Sequence, residues 1–223
     1  MKTLMTLEMK KNNVKPYLLG ALGITIAMFG FLYLFAGVEE EELSTYADVI
    51  MIVTILNMAS YCILSAVMFS RFVIEEYKGK RAILLFSYPV NRVKVLFAKV
   101  LLVCGFVFIF SLISNFIVFG FFNITEYFLP LVHEGELHQT IVNSILLIII
   151  ESFLAIAISL IAMAIGIWKE SVPATIITAV VICSMISNLG TSPLLLLIGT
   201  CFIFLIALIA LGFAVKKVEH IEV

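Results

Sequence analysis

Residues 171–215 form a run of 45 without a charged side chain. As one helix it would be about 68 Å long, more than twice the roughly 30 Å of a bilayer's hydrocarbon core. The run must therefore turn. Its only turn-like stretch is Asn188-Leu189-Gly190-Thr191-Ser192-Pro193, where Asn, Gly and Pro interrupt the pattern. Two spans are expected there, at about 171–188 and 193–215. Uncharged runs also occupy residues 17–37, 49–70 and 100–125, and residues 140–168 are interrupted only by Glu151. The expected spans are about 17–37, 49–70, 97–124 and 140–168, which makes six in one transmembrane domain over 1–223. With 63% of residues hydrophobic and 13% charged, a soluble domain is excluded, because such a domain covers itself with roughly a quarter charged residues.

The cations give an independent reading of topology, since Lys and Arg accumulate in cytoplasmic segments. All 14 lie in four segments. Lys2, Lys10, Lys11 and Lys15 precede the first span. Arg71, Lys78, Lys80, Arg81, Arg92, Lys94 and Lys99 lie between the second and third. Lys169 lies between the fourth and fifth, and Lys216 and Lys217 follow the sixth. The opposite connections carry Glu39, Glu40, Glu41, Glu42 and Asp48, then Glu126, Glu134 and Glu136, and finally no charge. Six spans with both termini in the cytoplasm are therefore expected. The first apolar run exceeds a cleavable signal core and lacks a clear small-x-small site, so it reads as an uncleaved anchor.

Residues 1–16 are basic, with Leu4, Leu7 and Met5 or Met9 at helical spacing. A short amphipathic helix on the inner membrane surface is expected, ended by Pro16. Cys62, Cys104, Cys183 and Cys201 all fall within apolar spans with no metal or redox spacing, and read as small packing residues.

Catalytic chemistry is sparse. Gly79-Lys80 is followed by Arg81 and lacks a glycine at position 74, so the phosphate-cradling Gly-x-x-x-x-Gly-Lys-Ser/Thr loop is missing. His133-Glu134-Gly135-Glu136-Leu137-His138 departs from the zinc-binding His-Glu-x-x-His pattern by one residue and places Gly in its middle. No metal site is expected. Glu151 is the one ionisable residue deep in a span. A group there costs roughly 2.5 to 3.5 kcal/mol on insertion scales, so it should face protein or water. It is either a functional carboxyl or a structural one bonded to Asn57, Ser60, Ser114 or Asn115 of neighbouring spans.

The stretch 71–96 is the longest between spans. It mixes cations with an apolar block at 82–86, bracketed by Gly79 and Pro89. That pattern fits a short cytoplasmic helix pressing an apolar face on the inner membrane surface or on a partner protein, with Asn91 placed to cap the helix that follows.

The order of these features resembles the permease subunits of type-2 ATP-binding-cassette exporters. The more specific part is Glu75-Glu76-Tyr77-Lys78-Gly79-Lys80-Arg81, then Leu84-Leu85 and Ser87-Tyr88-Pro89-Val90-Asn91-Arg92, ending in Lys99. The resemblance implies an all-α bundle with an N-terminal amphipathic helix and a coupling helix at 80–87 that docks on an ATPase. Glu75, Glu76, Gly79, Lys80, Arg81, Leu84, Leu85, Pro89 and Arg92 would carry the coupling. It further implies a non-enzymatic subunit with no cofactor of its own, ATP and Mg belonging to a separate cytoplasmic ATPase dimer. A second permease copy, identical or related, would complete the pathway in a bacterial cell membrane. The Phe-rich interior, with Glu151, Asn57 and Asn115 as candidate pathway residues, suits a hydrophobic or amphipathic cargo such as a peptide, toxin or antimicrobial. Nucleic acid is not expected as a partner. The alternative is a stand-alone proton-coupled carrier or channel using Glu151.

Overall fold

A computed structural model describes residues 8–9, 11, 13–36, 46–76, 92–128, 137–187 and 193–219. These form α1 (Lys15–Ala36), α2 (Tyr46–Phe69), a π-helical turn (Ser70–Ile74), α3 (Arg92–Phe128), α4 (Leu137–Lys169), α5 (Val172–Ile186) and α6 (Pro193–Glu219). No strand occurs among them. Five of the helices are long and apolar enough to cross a bilayer; α5, with 15 residues, is about 22 Å long and shorter than the hydrocarbon core. The 45-residue uncharged run breaks between Ile186 and Pro193, so it does contain two helices.

Two boundaries differ from the sequence expectation. Pro16 lies inside the first turn of α1 rather than ahead of it. A first-turn proline loses no intrahelical bond, because that N–H has no partner there in any case. The second helix does not stop at Ser70. It continues through Ile74 as a π-turn, with Glu75 N–H bonded to the Ser70 carbonyl at 3.0 Å and Phe72, Val73 and Ile74 buried.

The two central helices are α2 and α4, while α1 and α6 turn wide apolar faces outward through Leu19, Ile26 and Leu34, and through Leu194, Phe202, Leu205 and Ile209. Lipid tails are as apolar as these side chains, so association of the helices rests on close packing and polar contacts rather than on hydrophobic burial. Small residues serve this: Ala66 of α2, Ala155 and Ala162 of α4 and Ala179 of α5 are fully buried in one cluster. Gly166 serves it most sharply. A Cβ there would collide with Thr175 Oγ1 and Ile74 Cδ1, so glycine lets α4, α5 and the π-turn meet. Glu170, in the tight α4–α5 connection, takes a left-handed φ of 49°.

These contacts also gather the described parts of the basic segments at one end of the bundle. Lys99 meets Phe72 and Glu8, Gly166 meets Ile74 and Thr175, and Lys217 meets Ile167. The helices therefore alternate in direction, as the cation pattern requires. At the opposite end Tyr33 and Thr125 share a hydrogen bond, and Met28, Leu32, Val49, Val53, Val118 and Phe122 form an apolar cluster.

Candidate functional site

Two polar constellations stand out against this apolar background. The first lies at the basic end. Lys99 sits in the second turn of α3 on a face shared with Leu96 and Val103, and its side chain is fully buried. Its ammonium donates to the Phe72 carbonyl at 2.7 Å, pairs with Glu76 and lies 3.7 Å from Glu8. Lys11 reaches the other Glu76 oxygen at 3.0 Å. The irregular turn moves the Glu76 N–H away from this carbonyl. In an α-helix Glu76 N–H would bond to Phe72, but here it bonds to the Val73 carbonyl at 3.1 Å.

Four charges from three chain segments thus interlock: the N-terminal segment (Glu8, Lys11), the end of α2 (Glu76) and the start of α3 (Lys99). A buried ammonium is tolerated only when paired and hydrogen bonded, and Lys99 has both kinds of partner. Glu76 was singled out from sequence for coupling and Lys99 for the start of the third span. Their pairing, and the participation of Glu8, were not. Glu8 is the one acid ahead of residue 39, at i, i+3 from Lys11, which was the available signal.

Of the other coupling candidates, Glu75 is half-buried in the turn after the π-helix and Arg92 opens α3. Gly79, Lys80, Arg81, Leu84, Leu85 and Pro89 lie outside the described residues, as does Asn91.

The second constellation crosses the interior. Thr25 of α1 donates to Ser114 of α3 at 3.1 Å, and Ser114 donates to Asn57 Oδ1 of α2 at 3.1 Å. Asn57 Nδ2 donates to the Ser111 carbonyl at 3.2 Å, and the Ser111 hydroxyl meets Ser152 of α4 at 3.2 Å. One chain of hydrogen bonds thereby links four helices. Ser111 and Ser114 share a face of α3 by i, i+3 spacing, which lets both reach α2.

The three pathway candidates fare differently within it. Asn57 is a member. Asn115, one residue past Ser114, is buried and its Oδ1 has no hydrogen-bond partner among the described residues. Glu151 precedes Ser152 and is 4% exposed; it lies beside Thr54 and Cys183 rather than Asn57, and its Oε2 is likewise without a partner. Ser60 instead returns its hydroxyl to the Leu56 carbonyl of its own helix. Among the described residues no group of His, Cys, Asp and Glu assembles as a metal site.

A family model described as "ABC-2 family transporter protein" matches residues 4–187. The chain is also 33% identical over 198 residues to the uncharacterized protein YcbO of Bacillus subtilis (strain 168), an alignment spanning 85% of this chain and 84% of that protein. No solved structure matches the chain.

Proposed function

The chain belongs to the ABC-2 family of transporter proteins, and from that membership we propose that it is the pathway-forming subunit of an ATP-driven exporter of hydrophobic or amphipathic cargo, a peptide, toxin or antimicrobial. Its family and its apolar helices make it a multi-pass membrane permease subunit, the component that works with an ABC ATPase and usually with a second permease. The finer reading places both termini and the basic end of the bundle in the cytoplasm. There the stretch around Lys80, Arg81, Leu84 and Leu85 docks on a separate ATPase dimer that binds ATP and Mg.

The observation that supports this reading best is the Glu8–Lys11–Glu76–Lys99 cluster. It flanks the docking stretch on both sides, closing onto Glu76 just before it and Lys99 just after it. A push on that stretch is delivered to the end of α2, the start of α3 and the N-terminal segment together, because the cluster leaves no slack between them. A rigid tilt of the spans on ATP-driven ATPase closure is the corresponding mechanism. Asn57, Asn115 and Glu151 then line or border the pathway.

The test is co-purification of the chain with an ABC ATPase from cells that produce it, followed by transport in vesicles. ATP-dependent export by the complex is expected. Transport that runs on a pH gradient without an ATPase would overturn the exporter reading and favour a proton-coupled carrier. That second reading rests on the buried Glu151 carboxyl, whose Oε2 has no partner among the described residues.

A further inference from the structure

A groove of about 550 Å³ runs between the ends of α4 and α6, within the range of roughly 300–1,000 Å³ typical of small-ligand sites. Short side chains give it depth: Ala164 of α4 faces Ala210 and Ala214 of α6. Trp168 and Phe213 flank it and are 72% and 69% exposed. Because α4 and α6 both run toward the basic end, Ala164 and Ala210 form the deep end of the groove. Trp168 and Lys217 form its outer end, about 10 Å away along α6 at 1.5 Å per residue.

The outer end is polar and already built. Lys217 donates to the Ile167 carbonyl at 3.1 Å and to the Trp168 carbonyl at 2.7 Å, and pairs with Glu170 at 3.2 Å. Those carbonyls have no intrahelical donor at the end of α4, so Lys217 caps that helix and ties it to α6. Its three N–H groups have their partners and Glu170 has its cation. Lys169 and Lys216 remain exposed, one residue from Trp168 and Lys217 respectively. The two helix ends carry Lys169, Lys216 and Lys217 against Glu170 and Glu219.

We propose that this groove binds one anionic phospholipid, an acyl chain lying over Ala164, Ala210 and Ala214 and the phosphate held by Lys169 and Lys216. The order of chemistry along the groove is that of a phospholipid seen from the side. The apolar floor lies deep, an indole sits where aromatic belts meet the headgroups, and cations sit at the rim. The same end of a second permease copy is itself basic and would bring further cations against the lysines, whereas a lipid places an anion there. The inference rests on the chain being a membrane protein and is independent of ATPase coupling and of cargo.

Trp168 is the only tryptophan in the chain and borders the groove, so its fluorescence reports occupancy directly. The full chain is reconstituted in phosphatidylcholine vesicles, with part of the lipid replaced by dibrominated phosphatidylglycerol or by dibrominated phosphatidylcholine of the same chain length. Bromine quenches the indole on contact. Trp168 is expected to be quenched at lower mole fractions of the phosphatidylglycerol, the relative affinity rising by about fivefold for each lysine engaged. Ala210→Leu, which fills the floor, should abolish the preference, and Lys169→Gln with Lys216→Gln should reduce it. Equal quenching by the two lipids would overturn the proposal, leaving ordinary bulk lipid. So would a preference unchanged in both sets of variants. Protection of Trp168 from both lipids would overturn it in favour of a protein neighbour.

Discussion

Lys99 Nζ donates a hydrogen bond of 2.7 Å to the backbone carbonyl of Phe72, 27 residues earlier in the chain. The bond joins the start of α3 to a π-turn in which Glu76 N–H bonds to the Val73 carbonyl rather than to that of Phe72, and the same ammonium pairs with Glu76. Lys99 therefore grips this end of α2 at two points. Replacing Lys99 by Met removes the cation but leaves Glu76 beside only Lys11. Replacing Glu76 by Gln leaves Lys99 buried with the carbonyl and Glu8. Each single change is expected to cost about 3–5 kcal/mol, the scale of breaking a buried pair from one side. In the double variant the two costs should fail to add, with a coupling of about 0.5–3 kcal/mol. Thermal unfolding of the purified variants measures this. Additive losses would show that the two residues act separately.

Gly166 is expected to tolerate no side chain. Gly166→Ala drives its Cβ into Thr175 Oγ1 and Ile74 Cδ1, and the resulting overpacking should cost about 1–3 kcal/mol. Adding Thr175→Ala removes one of the two clashes and should restore part of the loss. Thr175→Ser keeps the Oγ and should restore less. The melting temperatures of the three variants test this ordering.

The interior chain of hydrogen bonds makes a quieter prediction. Ser114→Ala removes the donor to Asn57 and the acceptor for Thr25. Interhelical bonds in membranes average about 0.6 kcal/mol, with a maximum near 1.7, so the variant should remain folded and lose on the order of 1 kcal/mol. Unfolding in detergent against a denaturant series reads the loss. A cost several times larger would mean that the network holds the bundle together.

For the pathway residues the expected outcome is functional. Glu151→Gln preserves shape and removes ionisation, and is expected to alter export while leaving the unfolding free energy within about 1 kcal/mol of the parent's. Export measured in vesicles across a range of pH decides the matter. Parental behaviour throughout would assign Glu151 a packing role beside Thr54 and Cys183.

Coupling is tested in the docking stretch itself. Arg81→Glu and Leu84→Asp are each expected to leave insertion intact while separating ATP hydrolysis from export in the assembled complex. Normal export by both would remove that stretch from the mechanism.

Much of this architecture could be read before any coordinate was known. Span length and the side taken by Lys and Arg are properties of the one-dimensional string, because a bilayer imposes a thickness and a charge asymmetry that each segment meets on its own. Hence the six apolar helices, the break between Ile186 and Pro193, and the gathering of every described basic segment at one end follow the sequence closely. The same local logic misplaced the end of α2, because nothing in Ser70–Ile74 announces a π-turn; burial of Phe72, Val73 and Ile74 against α3 and α4 stabilises it from outside. The partners of single polar groups were decided by tertiary structure alone. Glu8, Glu76 and Lys99 meet although 68 residues separate the first two, and Glu151 faces Thr54 and Cys183, neither of which is among the partners the sequence offers for it, Asn57, Ser60, Ser114 and Asn115. In lipid, hydrophobicity does not distinguish one helix neighbour from another, so small-residue packing at Gly166 and the geometry of a few buried polar atoms choose which faces meet.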